Sequence, residues 1–157
     1  MSVRIQQADF DLAAELAAFA RGDPRIGALV AFVGLVRDAS DADTILEMTL
    51  EHYPGMTESA LAEIVHEARA RWPIIDALVI HRVGTLQPTD QIVAVAVAAA
   101  HRGTAFAAGE FIIDQLKTRA PFWKRELTSQ GARWVDARET DEEASARWQA
   151  ASPPATE

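Results

Sequence analysis

No cysteine occurs in these 157 residues, which excludes a disulfide, a thiolate metal site, a persulfide and a cysteine nucleophile together. Any sulfur chemistry would have to use sulfur brought by a partner. Lysine is nearly as scarce. The chain has two, Lys117 and Lys124, and its other thirteen basic side chains are arginine. An ammonium can lose its proton when desolvated, whereas a guanidinium in a protein cannot. Two amines placed close together and nowhere else therefore point to a site where a proton or a covalent bond is exchanged; the alternative is an arginine-rich bias whose lysines fell together by chance. Also missing are a Walker loop, a dinucleotide glycine fingerprint, paired metal-ligand spacing on a helix and a serine elbow, so no bound metal is expected. No apolar run approaches the roughly 20 residues of a membrane span. The N-terminus lacks a basic region followed by an apolar core, and a cytosolic protein without membrane contact is expected.

Positive charge is short overall. The formal net charge of −8 argues against a general nucleic-acid binder, whose affinity rests on a basic surface that neutralises phosphates. Residues 101–126 nevertheless carry Arg102, Lys117, Arg119, Lys124 and Arg125 against three acids. A local basic site in an acidic chain suits a small anionic ligand.

The length is that of one ordinary domain, read here as residues 1–149, followed by a disordered tail over 150–157 that holds a Pro-Pro pair. Val3 to Gln6 reads as a short strand, and Asp9 or Asp11 caps a helix carrying Leu12, Leu16, Phe19 and Ala20. Ile26 to Val36 reads as a buried strand, with Gly34 marking a bulge or a close backbone approach. Arg37 at its end is either the first solvated residue or a ligand-binding group. After a polar loop over 38–43, a strand from Thr44 to Tyr53 puts Leu46, Met48, Leu50 and His52 on one face. A helix capped near Thr57 follows, with Leu61, Ile64, Val65, Ala68 and Trp72 as its apolar stripe. Strands over 74–83 and 91–100, joined by a turn over 84–90, read as a hairpin covered on both faces. Ser129-Gln130-Gly131 turns into a strand over 133–137, and Thr140 with Glu143 forms a capping box that opens a last helix ending near Trp148. Mixed helices and hairpins give an α+β class with a largely antiparallel sheet.

The lysines lie on a helix-and-strand unit. From Thr104 to Thr118, Ala105, Phe106, Gly109, Ile112, Ile113 and Leu116 fall on one side of a helix, with Lys117 at the stripe's edge. Its amine either reaches a cleft or pairs with Asp114, three residues earlier. Pro121 ends the helix. The strand from Phe122 to Leu127 then sets Phe122, Lys124 and Glu126 on one face, which is either the wall of a polar pocket or, as sequence alone favours, solvated. His52, His81 and His101 fall in or at the ends of strands, where core or rim roles are the commoner ones. His101-Arg102 differs because a helix follows: backbone N–H donors, the helix dipole and a guanidinium could together hold an anion.

LEHYPGMTE (Leu50 to Glu58), RWPI (Arg71 to Ile74), HRVG (His81 to Gly84), AHR (Ala100 to Arg102), RWVDARE (Arg133 to Glu139) and above all LKTRAPFWKRE (Leu116 to Glu126) resemble the large, catalytic subunit of molybdopterin synthase. The family's FTGKVR-like segment stands here as FVGLVR, Phe32 to Arg37, with Leu35 in place of a lysine. The resemblance implies an α/β-hammerhead fold and a homodimer at the centre of a heterotetramer. Each subunit would bind a small ubiquitin-like sulfur carrier whose C-terminal Gly-Gly ends in a thiocarboxylate. It implies a sulfurtransferase that turns cyclic pyranopterin monophosphate into the dithiolene of molybdopterin with no cofactor of its own. Lys117 and Lys124 would be catalytic. Arg37, His101, Arg102, Arg125, Glu126 and Arg138, with both lysines, would bind substrate, Arg138 across the dimer. The rival reading is a non-catalytic subunit that docks a ubiquitin-like partner or an anionic metabolite.

Overall fold

The computed structural model describes residues 1–40, 43–136 and 139–150. Its centre is the pair of strands with the most continuous apolar sequence, β5 (Ile74–Arg82) and β7 (Gln91–Ala99), joined antiparallel. Both of their faces are apolar because both are covered. On one side lie α2 (Met56–Arg71) and α3 (Arg102–Arg119). Leu61, Ile64, Val65 and Ala68 of α2 pack there with Val79, Val95, Phe111 and Ile112, each large aliphatic contributing about 1.5–3 kcal/mol of burial. On the other side α1 (Leu12–Phe19), capped by the Asp11 carboxylate, sets Leu12, Leu16 and Phe19 against Leu78, Ile80 and Ala96. β1 (Ser2–Gln6) runs parallel to β5, and β2 (Ala28–Leu35) runs antiparallel to β7 at the opposite edge, giving the order β1-β5-β7-β2.

Gly34 acts in both of the ways its position suggested. The β2–β7 register shifts between Gly34 and Leu35, and a Cβ on Gly34 would come within 2.9 Å of Val93 Cγ1. Only glycine lets the two strands approach this closely.

A second sheet is built on β4 (Asp43–His52), which pairs antiparallel with β3 (Ala39–Ser40), β6 (Gly84–Leu86) and β8 (Phe122–Thr128), with β9 (Gly131–Val135) beyond β8. Two of these strands correct the sequence reading. The loop over 38–43 contains β3, and the turn over 84–90 begins as β6. The chain leaves one sheet for the other at Val83-Gly84, where Gly84 has φ +86°, a conformation open to glycine at no steric cost.

Three side chains depart from the expected pattern. Leu46 is exposed and Ile45 buried, because the β4–β8 register shifts between Ile45 and Glu47 and turns one residue over. Phe106 is 62% exposed although it falls at helical spacing with the buried stripe. Thr57 lies inside α2, whose N-cap is Gly55 with its amide donated to Glu58 at 2.7 Å. α4 (Glu139–Ala150) opens one residue before Thr140; the rest of the expected tail, 151–157, lies outside the described residues. The class is α+β with largely antiparallel sheets, and no described helix is long and apolar enough to cross a membrane.

Candidate functional site

The two lysines stand on either side of one bend. α3 gives way at Ala120, which is extended (φ −79°, ψ 129°) as a residue before proline must be, and β8 starts directly after Pro121. The bend is fastened from a third element. The buried Thr57 hydroxyl donates to the Pro121 carbonyl at 3.1 Å and accepts the Tyr53 amide at 3.0 Å.

Inside the bend opens a cavity of about 610 Å³, walled by α3, both sheets and the start of α4. Lys117, Lys124, Arg37 and Glu126 line it, over an apolar interior that includes Met48, Leu50 and Leu116. The inward turn of Lys124 and Glu126 follows from strand pairing. Lys124 lies opposite Leu50, and Glu126 opposite Met48; directly opposed residues share a face. The expectation that this face is solvated is therefore overturned. Glu126 is 1% exposed, with Oε1 3.6 Å from Lys124 Nζ and Oε2 3.2 Å from Arg133 Nη2. Arg133 reaches on to Asp43 at 3.1 Å. A buried carboxylate needs such partners.

Lys117 turns its amine to the cleft and pairs with Asp141 of α4 at 3.2 Å, while its side chain stays 48% exposed. Asp114 is engaged elsewhere, accepting from Arg147 Nη2 at 2.7 Å and Trp148 Nε1 at 2.8 Å.

Three of the expected residues stand apart from this cavity. His101 and Arg102 are exposed at the opposite end of α3, about 22 Å from Lys117 at the rise of an α-helix. Arg125 is exposed on the outer face of β8, opposite Trp134. Arg138 lies outside the described residues.

The cavity also holds residues that sequence reasoning passed over. Asp141 sits in the first turn of α4, where the capping pattern explained the acids around it. His81 is 5% exposed, stacked on Phe122, and lines the cavity because β5 ends there at the switch between sheets. Burial pushes its imidazole down to about 4, the Arg82 carbonyl opposing that shift and nearby His52 adding to it. An apolar pocket with two amines, a guanidinium and one buried carboxylate can bind a planar anion and stabilise negative charge that develops beside it.

The family described as MoaE protein matches residues 5–119. The molybdopterin synthase catalytic subunit of Ralstonia nicotianae is 66% identical over 147 residues, covering 94% of this chain and 84% of its own. That of Escherichia coli is 62% identical over 122 residues, covering 78% and 81%. Among solved structures, the molybdopterin biosynthesis MoaE protein of Burkholderia ambifaria superposes with a TM-score of 0.81 at 59% identity, covering 94% of this chain and 97% of that one. Molybdopterin synthase from Staphylococcus aureus superposes with 0.78 at 31% identity, covering 84% and 95%.

Proposed function

The chain belongs to the MoaE family, and from that premise we propose that it is the catalytic subunit of a molybdopterin synthase, a sulfurtransferase of molybdenum-cofactor biosynthesis. The sulfur arrives as the C-terminal thiocarboxylate of a small ubiquitin-like subunit. The acceptor is cyclic pyranopterin monophosphate. In each transfer the thiocarboxylate sulfur forms a bond to an oxygen-bearing side-chain carbon of the pterin, whose C–O bond breaks with the oxygen leaving on phosphate or as water. A second water then cleaves the S–acyl bond, so the tail ends as a carboxylate without redox change. No resident cofactor is needed, and we place the reaction in the cytosol.

The observation that carries this reading is the convergence of the only two lysines on one cavity with Arg37 and Glu126. Lys117 holds the thiocarboxylate and the oxyanion that forms as its acyl carbon is attacked. Lys124, steadied by Glu126, is the second cation. Arg37 binds the cyclic phosphate through charge-assisted hydrogen bonds. Arg125, on the outer face, takes at most a long-range electrostatic part.

His101 and Arg102 serve the site from a second copy. β2 is an edge strand with Leu29, Phe32 and Leu35 exposed, and α3, which packs over it with Gly109 against Val30, exposes Phe106. Two copies joined edge to edge at β2, about a two-fold axis perpendicular to the strand, run antiparallel. The Ala28 end of one β2, beside His101 and Arg102, then meets the Leu35 end of the other, beside Arg37. Arg138 would join the site in the same crossed manner.

Lys117→Arg tests the assignment. The guanidinium keeps the charge but is bulkier and cannot give up a proton. Single-turnover sulfur transfer should fall by roughly 100-fold or more with folding and partner binding intact. Transfer at close to the parent rate would leave the docking-subunit reading ahead.

A further inference from the structure

His81 has one ring nitrogen that the fold does not use. Its Nδ1 lies 2.8 Å from the Arg82 carbonyl oxygen. A carbonyl only accepts, so Nδ1 carries the proton and Nε2 keeps its lone pair. The ring lies flat against Phe122, centroids 3.8 Å apart and planes at 17°, so its orientation is fixed from two sides. No hydrogen bond to Nε2 is found among the described residues. There, Arg69 Nε is the sealed side-chain nitrogen or oxygen left without a partner. Nε2, equally without one, is therefore not sealed, and the space beside this ring is the cavity that His81 shares with Lys117 and Lys124. Ring nitrogens are normally satisfied by protein or by what fills the space beside them, so this acceptor, with no partner in the fold, is left for whatever the cavity holds.

Of the three carboxylates that line this cavity, Glu126 is engaged with Lys124 and Arg133 and Asp141 with Lys117, while Asp136 is exposed to solvent. We propose that His81 is a specificity-determining residue of this site, its Nε2 accepting a ring N–H of the bound pterin. The inference rests on the reading of the cavity as a pterin site. A Gly-Gly tail also carries N–H groups, but along an extended chain they point to alternate sides. A planar heterocycle with its donors along one edge fits a single fixed acceptor better.

The test uses the full assembly with its thiocarboxylated partner and two variants. His81→Phe keeps the ring and its stacking and removes both nitrogens; His81→Gln returns an acceptor near the place of Nε2. For His81→Phe we expect KM for cyclic pyranopterin monophosphate to rise roughly tenfold or more, the loss of one hydrogen bond to a site built for it, with kcat and partner affinity within about threefold. His81→Gln should recover most of the KM. Equal KM increases in both variants would assign the effect to packing and overturn the proposal, as would a change in partner affinity instead of KM. Calorimetry of the parent chain with the pterin separates the two levels of the argument. No binding by the parent overturns the pterin reading and this inference with it, whereas equal binding by parent and His81→Phe overturns this inference alone.

Discussion

A buried imidazole that stays neutral makes a fold sensitive to acid. His81 takes up a proton at about 4 in the folded chain against 6.5 for the free side chain. Between those values the unfolded chain binds a proton that the folded chain refuses, so stability falls as pH drops through this window and is unaffected above it. The slope is about 1.4 kcal/mol per pH unit, on the order of 3 kcal/mol in all. Denaturant titrations of the parent from pH 7.5 to 4.5 should show this loss, and His81→Phe should lack it; parallel curves for the two would contradict the burial account. The residue scale is also where the sequence was least legible. Alternation correctly put Lys124 and Glu126 on one side of a strand, but only the pairing of that strand with Met48 and Leu50 says that the side faces inward. Phe106 misled in the opposite direction, since its spacing marks a helix face without saying whether another element covers it.

Helix α4 is the element on which the site depends most indirectly. It docks on α3 through Trp148, whose ring meets Trp72 and Phe111 edge-on at 5.6 Å and whose Nε1 donates to Asp114, and through the buried Gln115–Ser145 hydrogen bond. Its first turn supplies Asp141 to Lys117. Trp148→Ala should weaken this docking by about 2 to 3 kcal/mol, raising amide exchange within 139–150 roughly 30- to 150-fold while β5 and β7 keep their protection. Unchanged exchange in α4 would mean that Trp148 is not its anchor. α1, α2, α3 and β4 were legible from a periodic apolar face, β2, β5 and β7 from a continuous apolar run, and α4 from the capping pattern at its start. β3 and β6 were not, because strands of two or three residues have no period, and both exist only by pairing with β4.

At the scale of the whole molecule, the expected dimer makes a prediction that a single chain cannot. If Lys117 and Arg102 act in one site from different copies, Lys117→Ala and Arg102→Ala chains, each inactive alone, should regain activity when mixed and allowed to exchange. A mixed dimer holds one site with both residues intact, so about a quarter of the parent activity is expected from a random mixture. A mixture as inactive as its components would place both residues in the same copy's site. The sequence offered His101-Arg102 as a candidate anion site beside the lysines, but its distance from Lys117 appears only once α3 is continuous from Arg102 to Arg119. One strand also does two jobs. β2 is the free edge of its sheet, and its end supplies Gly34, Leu35 and the neighbouring Arg37 to the cavity. On the crossed arrangement, assembly and ligand affinity are then linked reciprocally. Whatever factor dimerisation adds to the hold on the pterin, the pterin returns to the dimer, and diluting the protein becomes equivalent to loosening its grip on substrate.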